Sequence, residues 1–111
     1  MNNYTLIGRL VKDVEIKESE NKKEYAYITV AVNRTYKNAE GNYDTDFIDM
    51  IVWNDLAKRV SEYCHKGDLI GVNGRIETRM VEADDHKEKV MSLVCDRVSF
   101  LSSKKDTEES E

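Results

Sequence analysis

Apolar residues recur at every second position through much of the first half of this chain. From Tyr25 to Val32, the residues Ala26, Ile28, Val30 and Val32 fall on one face and Tyr25, Tyr27 and Thr29 on the other. That is the period of a strand with one face in a core. Thr45 to Trp53 repeats the pattern, with Ile48, Met50 and Val52 set against Phe47, Asp49, Ile51 and Trp53. Between the two, Lys37-Asn38-Ala39-Glu40-Gly41-Asn42 carries turn residues and reads as a loop. Tyr4 to Val11 is a shorter apolar run, broken by Gly8 and Arg9. One stretch then changes period. Leu56, Ala57, Val60, Tyr63 and Cys64 form a helical apolar stripe. Asn54 or Asp55 is the expected N-cap, and Gly67 the expected left-handed residue at the helix end. Leu69 to Ile76 returns to strand, with Gly71 and Gly74 where backbone bends or approaches closely. Ala83-Asp84-Asp85-His86 reads as a turn. Lys89 to Leu101 is the last strand, apolar on both sides and expected to be partly covered on both.

The order is therefore three strands, one helix, two strands. An open sheet of five strands would leave two exposed edges, and closure removes them. The expected fold is all-β: a five-stranded OB-fold barrel, with its single helix between the third and fourth strands and plugging one end. Residues 1–103 read as one domain. The final residues, KKDTEESE, contain no apolar side chain, so 104–111 are expected to form a short acidic disordered tail.

Composition narrows the function classes. A length of 111 residues suits one domain and is short for a two-lobed catalytic cleft. With 40% hydrophobic and 35% charged residues, the expectation is a soluble globular protein. No run approaches the roughly 18 apolar residues that span a bilayer, and MNNYTLIGRL lacks a secretory pattern. Cys64 and Cys95 are too few for a disulfide framework and lack metal-ligand spacing, which suits a reducing cytoplasm. The net charge is −5, from 17 basic and 22 acidic residues. The last eight residues hold two of the former and four of the latter, so the body is only mildly acidic. A basic groove opposite an acidic surface is compatible with that balance.

Catalytic chemistry finds little support. Cys64 and His65 are adjacent on the expected helix, so their side chains diverge by about 100° and do not form a nucleophile–base pair. His86 sits in a polar turn with Asp84 and Asp85, which reads as a solvated loop. There is no phosphate-cradling glycine loop and there are no paired histidines. The expectation is a protein that is not an enzyme, with no metal and no cofactor.

Several short segments, taken in series, resemble the bacterial single-stranded DNA-binding proteins. They are Gly8-Arg9-Leu10 with Lys12-Asp13, then Ala31-Val32-Asn33-Arg34-Thr35-Tyr36 before a glycine-containing loop, then Asp46-Phe47-Ile48 running to Val52-Trp53. Val60, Tyr63, Lys66 and Gly67 follow, then Gly71-Val72-Asn73-Gly74-Arg75-Ile76 with Thr78-Arg79. The match runs in order over nearly all of residues 3–101. The resemblance implies an OB-fold that assembles as a homotetramer, with a dimer as second choice. It implies cytoplasmic, nucleoid-associated binding of single-stranded DNA in replication, recombination and repair, with no membrane partner. Three positions depart from the family. Val14 stands where the family has a proline, and Val81 where it has a stacking aromatic. The acidic end Asp106-Thr107-Glu108-Glu109-Ser110-Glu111 lacks the apolar tip that recruits replication and repair proteins.

Sequence-tolerant binding of a single strand needs aromatic faces for the bases and cations for the phosphates. Phe47 and Trp53 share a strand face, six residues and about 20 Å apart at ~3.3 Å per residue. Tyr36 lies where the family carries a third stacking ring. The candidate stacking residues are therefore Tyr36, Phe47 and Trp53. The candidate phosphate contacts are Arg9, Lys12, Arg34, Lys37, Arg75, Arg79, Lys87 and Lys89. By pattern alone an aromatic in a strand is as much a core residue as a ligand platform, and strand cations are often simply solvated. Tyr25, Tyr27 and Tyr43 are read in that ordinary way. The alternative function is an OB-fold assembly or restart scaffold acting through protein partners with weak DNA affinity. An oligosaccharide-binding OB domain would use the aromatics but not the arginines.

Overall fold

A computed structural model describes residues 1–103; the expected tail at 104–111 lies outside the described residues. The elements are β1 (Tyr4–Leu10), β2 (Lys17–Glu18), β3 (Glu24–Lys37), β4 (Tyr43–Trp53), α1 (Asn54–Tyr63), β5 (Leu69–Ala83) and β6 (His86–Ser102). They form one sheet in the order β1-β5-β6-β4-β3-β2, and β1 also pairs with β3. That last pairing closes five long strands into a barrel, leaving the two-residue β2 hydrogen-bonded to β3 outside it. Only β4 and β6 run parallel, joined through Ile51↔Val94 and Val52↔Cys95. The helix lies between the third and fourth long strands, so the OB arrangement expected from the element order is the one observed.

The core follows from the alternation. Register places Ala26 opposite Val52, Ile28 opposite Met50 and Val30 opposite Ile48, so the two apolar rows coincide on one face. Ala26, Ile28, Val30, Met50 and Val52 are buried, together with Leu10, Ile70 and Val72. Ala57 and Val60 bring the helix onto this cluster, and Cys64 and Cys95 complete it. Tyr4 sits half-buried beside it. Its hydroxyl donates to the Val94 carbonyl oxygen at 3.0 Å, and burial pushes its pKa upward. Closure demands near contact of backbones, and two glycines supply it. A Cβ on Gly8 would run into the Ala31 carbonyl oxygen and Val30 Cγ1, and one on Gly74 into the Val94 carbonyl oxygen. Gly74 also sits at the register shift between β5 and β6, where a bulge bends the pair.

Several boundaries differ from those expected. β3 continues to Lys37, and β5 runs through to Ala83, directly into the turn. These extensions are exposed arms that a core-seeking pattern passes over. Asp84 and Asp85 both have positive φ, 39° and 71°, which makes the turn a tight two-residue hairpin. The capping expectation fails. Trp53 occupies the N-cap without a side-chain cap bond, and Asn54 opens the helix in the left-handed region at φ 55°. The helix ends at Tyr63, where the Cys64 N–H donates to the Val60 carbonyl oxygen. Gly67 does adopt φ 92°, but in the turn beyond, where its N–H donates to the Leu10 carbonyl oxygen. Tyr63 leaves the apolar stripe and is 68% exposed. The last strand is not covered on both sides within one chain, since Met91, Phe100 and Leu101 are exposed. Among the described residues no helix is long and apolar enough to cross a membrane.

Candidate nucleic-acid interface

The outward row of β4 reads Phe47, Asp49, Ile51, Trp53, because the intervening residues Ile48, Met50 and Val52 are committed to the core. Phe47 is 66% exposed. The reason lies across the ladder: its partner on β3 is Ala31, too small to cover a phenyl ring. Thr29 faces Asp49, and its hydroxyl donates to the carboxylate at 2.5 Å. Tyr27 faces Ile51, and Tyr25 faces Trp53. The rings of Tyr25 and Trp53 lie 5.4 Å apart, and Tyr25 meets Tyr27 edge-on at 5.8 Å. Trp53 is thus propped by Tyr25 and still 36% exposed, and Tyr27 presents about half its surface.

A groove of about 260 Å³ opens between this ribbon and the arm formed by β5 and β6. Its walls include Tyr27, Asp49, Trp53, Thr78, Arg79 and Met91. The expected stacking residues Phe47 and Trp53 therefore share one face, and Trp53 borders the groove. Tyr36 is 62% exposed but belongs elsewhere. It follows Arg34 at strand spacing, and the Arg34 guanidinium carbon lies 6.0 Å from its ring centre. Arg34 in turn is bound to Asp46 and Asp44, which lie on the face of β4 opposite Phe47. Tyr36 thus groups with the Arg34–Asp46–Asp44 cluster, within the register shift of the β3–β4 ladder.

The expected phosphate contacts divide into two groups. Arg34 makes a fork onto Asp46 at 3.0 and 3.1 Å. That hydrogen bond holds the Asp46 carboxyl below the usual carboxylate range and raises the guanidinium pKa. Arg75 is tied to Glu77 at 2.9 Å and also to Asp96. Arg9 donates to the Gly67 carbonyl oxygen at 2.9 Å. Among the described residues Lys12, Lys37, Arg79, Lys87 and Lys89 form no ion pair. Lys37 sits over Tyr43, its ammonium 5.9 Å from the ring centre. Arg79 lies opposite Val90 on the arm, while Lys87 and Lys89 lie opposite Glu82 and Met80 on its other face. Val81 is 37% exposed beside Arg79's row.

Sequence reasoning missed Tyr25 and Tyr27. Alternation had placed both on the outward face, but only the β3–β4 register reveals that they stand against Ile51 and Trp53. Both cysteines are buried, and desolvation pushes the Cys64 thiol up and the Cys95 thiol to about 11. Neither has the thiolate character of a nucleophile. Among the described residues no group of His, Cys, Asp and Glu is arranged to hold a metal.

Comparison with known proteins bears on this surface. A single-stranded DNA-binding protein of Listeria innocua is 41% identical over 107 residues, covering 96% of this chain and 67% of that protein. Single-stranded DNA-binding protein B of Bacillus subtilis is 36% identical over 104 residues, covering 93% of this chain and 92% of the other. A solved structure of Plasmodium falciparum SSB in complex with ssDNA superposes with a TM-score of 0.76, covering 92% of this chain and 96% of that one. At 21% identity that last likeness speaks to the fold alone. Residues 1–101 match the Single-strand binding protein family, and with these relatives over nearly its whole length the chain belongs to that family.

Proposed function

We propose that this chain binds single-stranded DNA across the outward face of β3 and β4, with little sequence preference. The observation that carries the reading is the outward row from Phe47 to Trp53, in which two exposed rings stand on a core-anchored strand beside an open groove. Bases stack on Phe47 and Trp53, with Tyr27 as a further platform, each contact contributing about 1–3 kcal/mol. Arg79, Lys37, Lys87 and Lys89 are free to meet phosphates without first leaving a carboxylate. Arg34 and Arg75 must exchange Asp46 or Asp96 for a phosphate, so their contribution is smaller. A protein that binds single strands in this way would serve DNA replication, recombination and repair in the cytoplasm.

Self-association belongs to the same reading. β3 takes only Arg9 and Leu10 of β1, so Tyr4 to Gly8 keep an open backbone edge opposite β5. Beside it Ile7 and Leu101 are exposed on the outer sheet face. A homotetramer is the leading arrangement and a dimer the second. Sedimentation at micromolar concentration tests it, and a species near 12.9 kDa would contradict it.

Titration with oligo(dT) at two salt concentrations tests the DNA reading. Trp53 is the sole tryptophan, so quenching reports on the face itself. Affinity that falls with salt marks phosphate contacts. Saturable binding with unchanged fluorescence would remove Trp53 from the site. Absence of binding would leave the scaffold alternative, which the carboxylate-bound arginines favour.

A further inference from the structure

The side chain of Asn54 has no task of its own. It is exposed, and among the described residues it makes no hydrogen bond. The N-cap is Trp53, so Asn54 does not cap the helix either. Its backbone is the unusual part, with φ 55° in the left-handed region. Among the described residues the other non-glycine positions with positive φ are Lys22, Asp84 and Asp85, and these lie in turns. Asn54 instead sits between two regular elements with no linker: β4 ends at Trp53 and α1 begins at Asn54.

Two demands meet at this junction. Trp53 is extended, with φ −110° and ψ 149°, and forms the last rung of the ladder opposite Tyr25, which keeps its ring beside the groove. One turn later, Ala57 and Val60 are buried in the core. A left-handed residue redirects the chain between them in a single step. Asparagine accepts that conformation, whereas a β-branched residue there is a steric outlier. With such a residue in place, the junction relaxes on its weaker side. The helix is anchored by the core and by Lys58, whose ammonium lies 3.4 Å from the Glu24 carboxylate on β3. Trp53 is held by one terminal rung and one ring contact with Tyr25, and it is 36% exposed. Trp53 is therefore the part that moves. We propose that Asn54 is a positioning residue for DNA binding, whose left-handed backbone holds the Trp53 ring against Tyr25 at the edge of the groove. The proposal rests on the reading that this face binds single-stranded DNA, and it deepens that reading by saying what keeps the tryptophan in place.

The test uses Asn54→Gly, Asn54→Ala and Asn54→Val, each alone and combined with Trp53→Ala, titrated against fluorescently labelled oligo(dT). Trp53 emission in the free protein and denaturation are measured on the same samples. Asn54→Gly should keep the emission maximum and bind within about twofold of the unaltered protein, since glycine enters the left-handed region freely. Asn54→Val should shift the emission to the red as the ring leaves Tyr25. It should also weaken binding by the folded protein about fivefold, the low end for loss of one stacked base. Asn54→Ala should fall between the two, and it carries the comparison if the valine variant does not fold. With Trp53 already replaced by alanine, Asn54→Val should cost no further affinity, because both changes act through one ring. Equal affinity across the folded variants overturns the proposal and leaves the DNA reading standing. A loss of affinity without a shift in emission overturns it as well, as does a loss that persists in the Trp53→Ala background. Failure of the unaltered protein to bind overturns the DNA reading, and the proposal falls with it.

Discussion

The two faces of β4 divide the protein's labour. Ile48, Met50 and Val52 point inward, and the latter two are at most 2% exposed. Phe47, Asp49, Ile51 and Trp53 point outward, and Phe47 keeps two-thirds of its surface in solvent. The same eleven-residue strand thus carries stability on one side and, in the proposed reading, the DNA surface on the other. A small cross-strand partner cannot cover an aromatic, and Ala31 leaves Phe47 exposed. Trp53 is intermediate: it leans on Tyr25 and also enters the helix.

The sharpest way to break the comparison is to cut the inner face. Ile28→Ala, on the strand paired with Met50, should destabilise the fold by about 2–5 kcal/mol. Chemical denaturation checks it. DNA affinity of the folded fraction should be unchanged, and a selective loss of binding would merge the two faces.

Next come the outward rings. Phe47→Ala should weaken oligo(dT) binding by about 1–3 kcal/mol, with stability altered by only ~0.5 kcal/mol. Trp53→Ala should cost a similar amount of affinity and some stability as well, because Tyr25 loses its packing partner. Tyr36→Ala should cost less than either, since its ring packs against Arg34 and does not line the groove. Anisotropy and denaturation on the same samples separate these outcomes. If Phe47→Ala instead unfolds the protein and spares binding, Phe47 is a core residue.

A smaller effect distinguishes free from carboxylate-bound cations. Arg79→Ala should reduce the slope of log affinity against log salt by about one. Arg34→Ala should change it less, because its charge is already answered by Asp46. Equal slopes for the two variants would mean that DNA strips the carboxylates away.

The smallest effect concerns the tip of the arm. His86 lies 2.7 Å from Glu88, and that hydrogen bond, with the Asp84 carbonyl, raises the imidazole pKa above 6.5. The contact is therefore fully present below about pH 6.5 and is lost as pH rises through the elevated folded-state value. NMR titration should place the His86 midpoint above 6.5, and Glu88→Gln should bring it down. An unchanged midpoint in that variant would show that the backbone carbonyl, not Glu88, holds the proton.

What the amino-acid sequence determined by itself is local. Two-residue alternation sorted Ala26 to Val32 and Ile48 to Val52 into their faces, because a strand's geometry assigns each side chain a side wherever the strand is placed. The run of strand, helix and strand limited the fold to a small barrel, and the outward Phe47 and Trp53 were legible on the same ground. Tertiary structure decided everything that depends on partners distant in sequence. The β3–β4 register set Tyr25 against Trp53 and Ala31 against Phe47, and so turned two ordinary tyrosines into part of the surface. It also brought Asp46 to Arg34, while the β5–β6 pairing brought Asp96 to Arg75, removing charges that composition counts as free. Closure of β1 onto β3, and the exposed arms beyond the core, were equally out of reach of a periodicity. Local pattern records which way a side chain points; only pairing settles what it meets there.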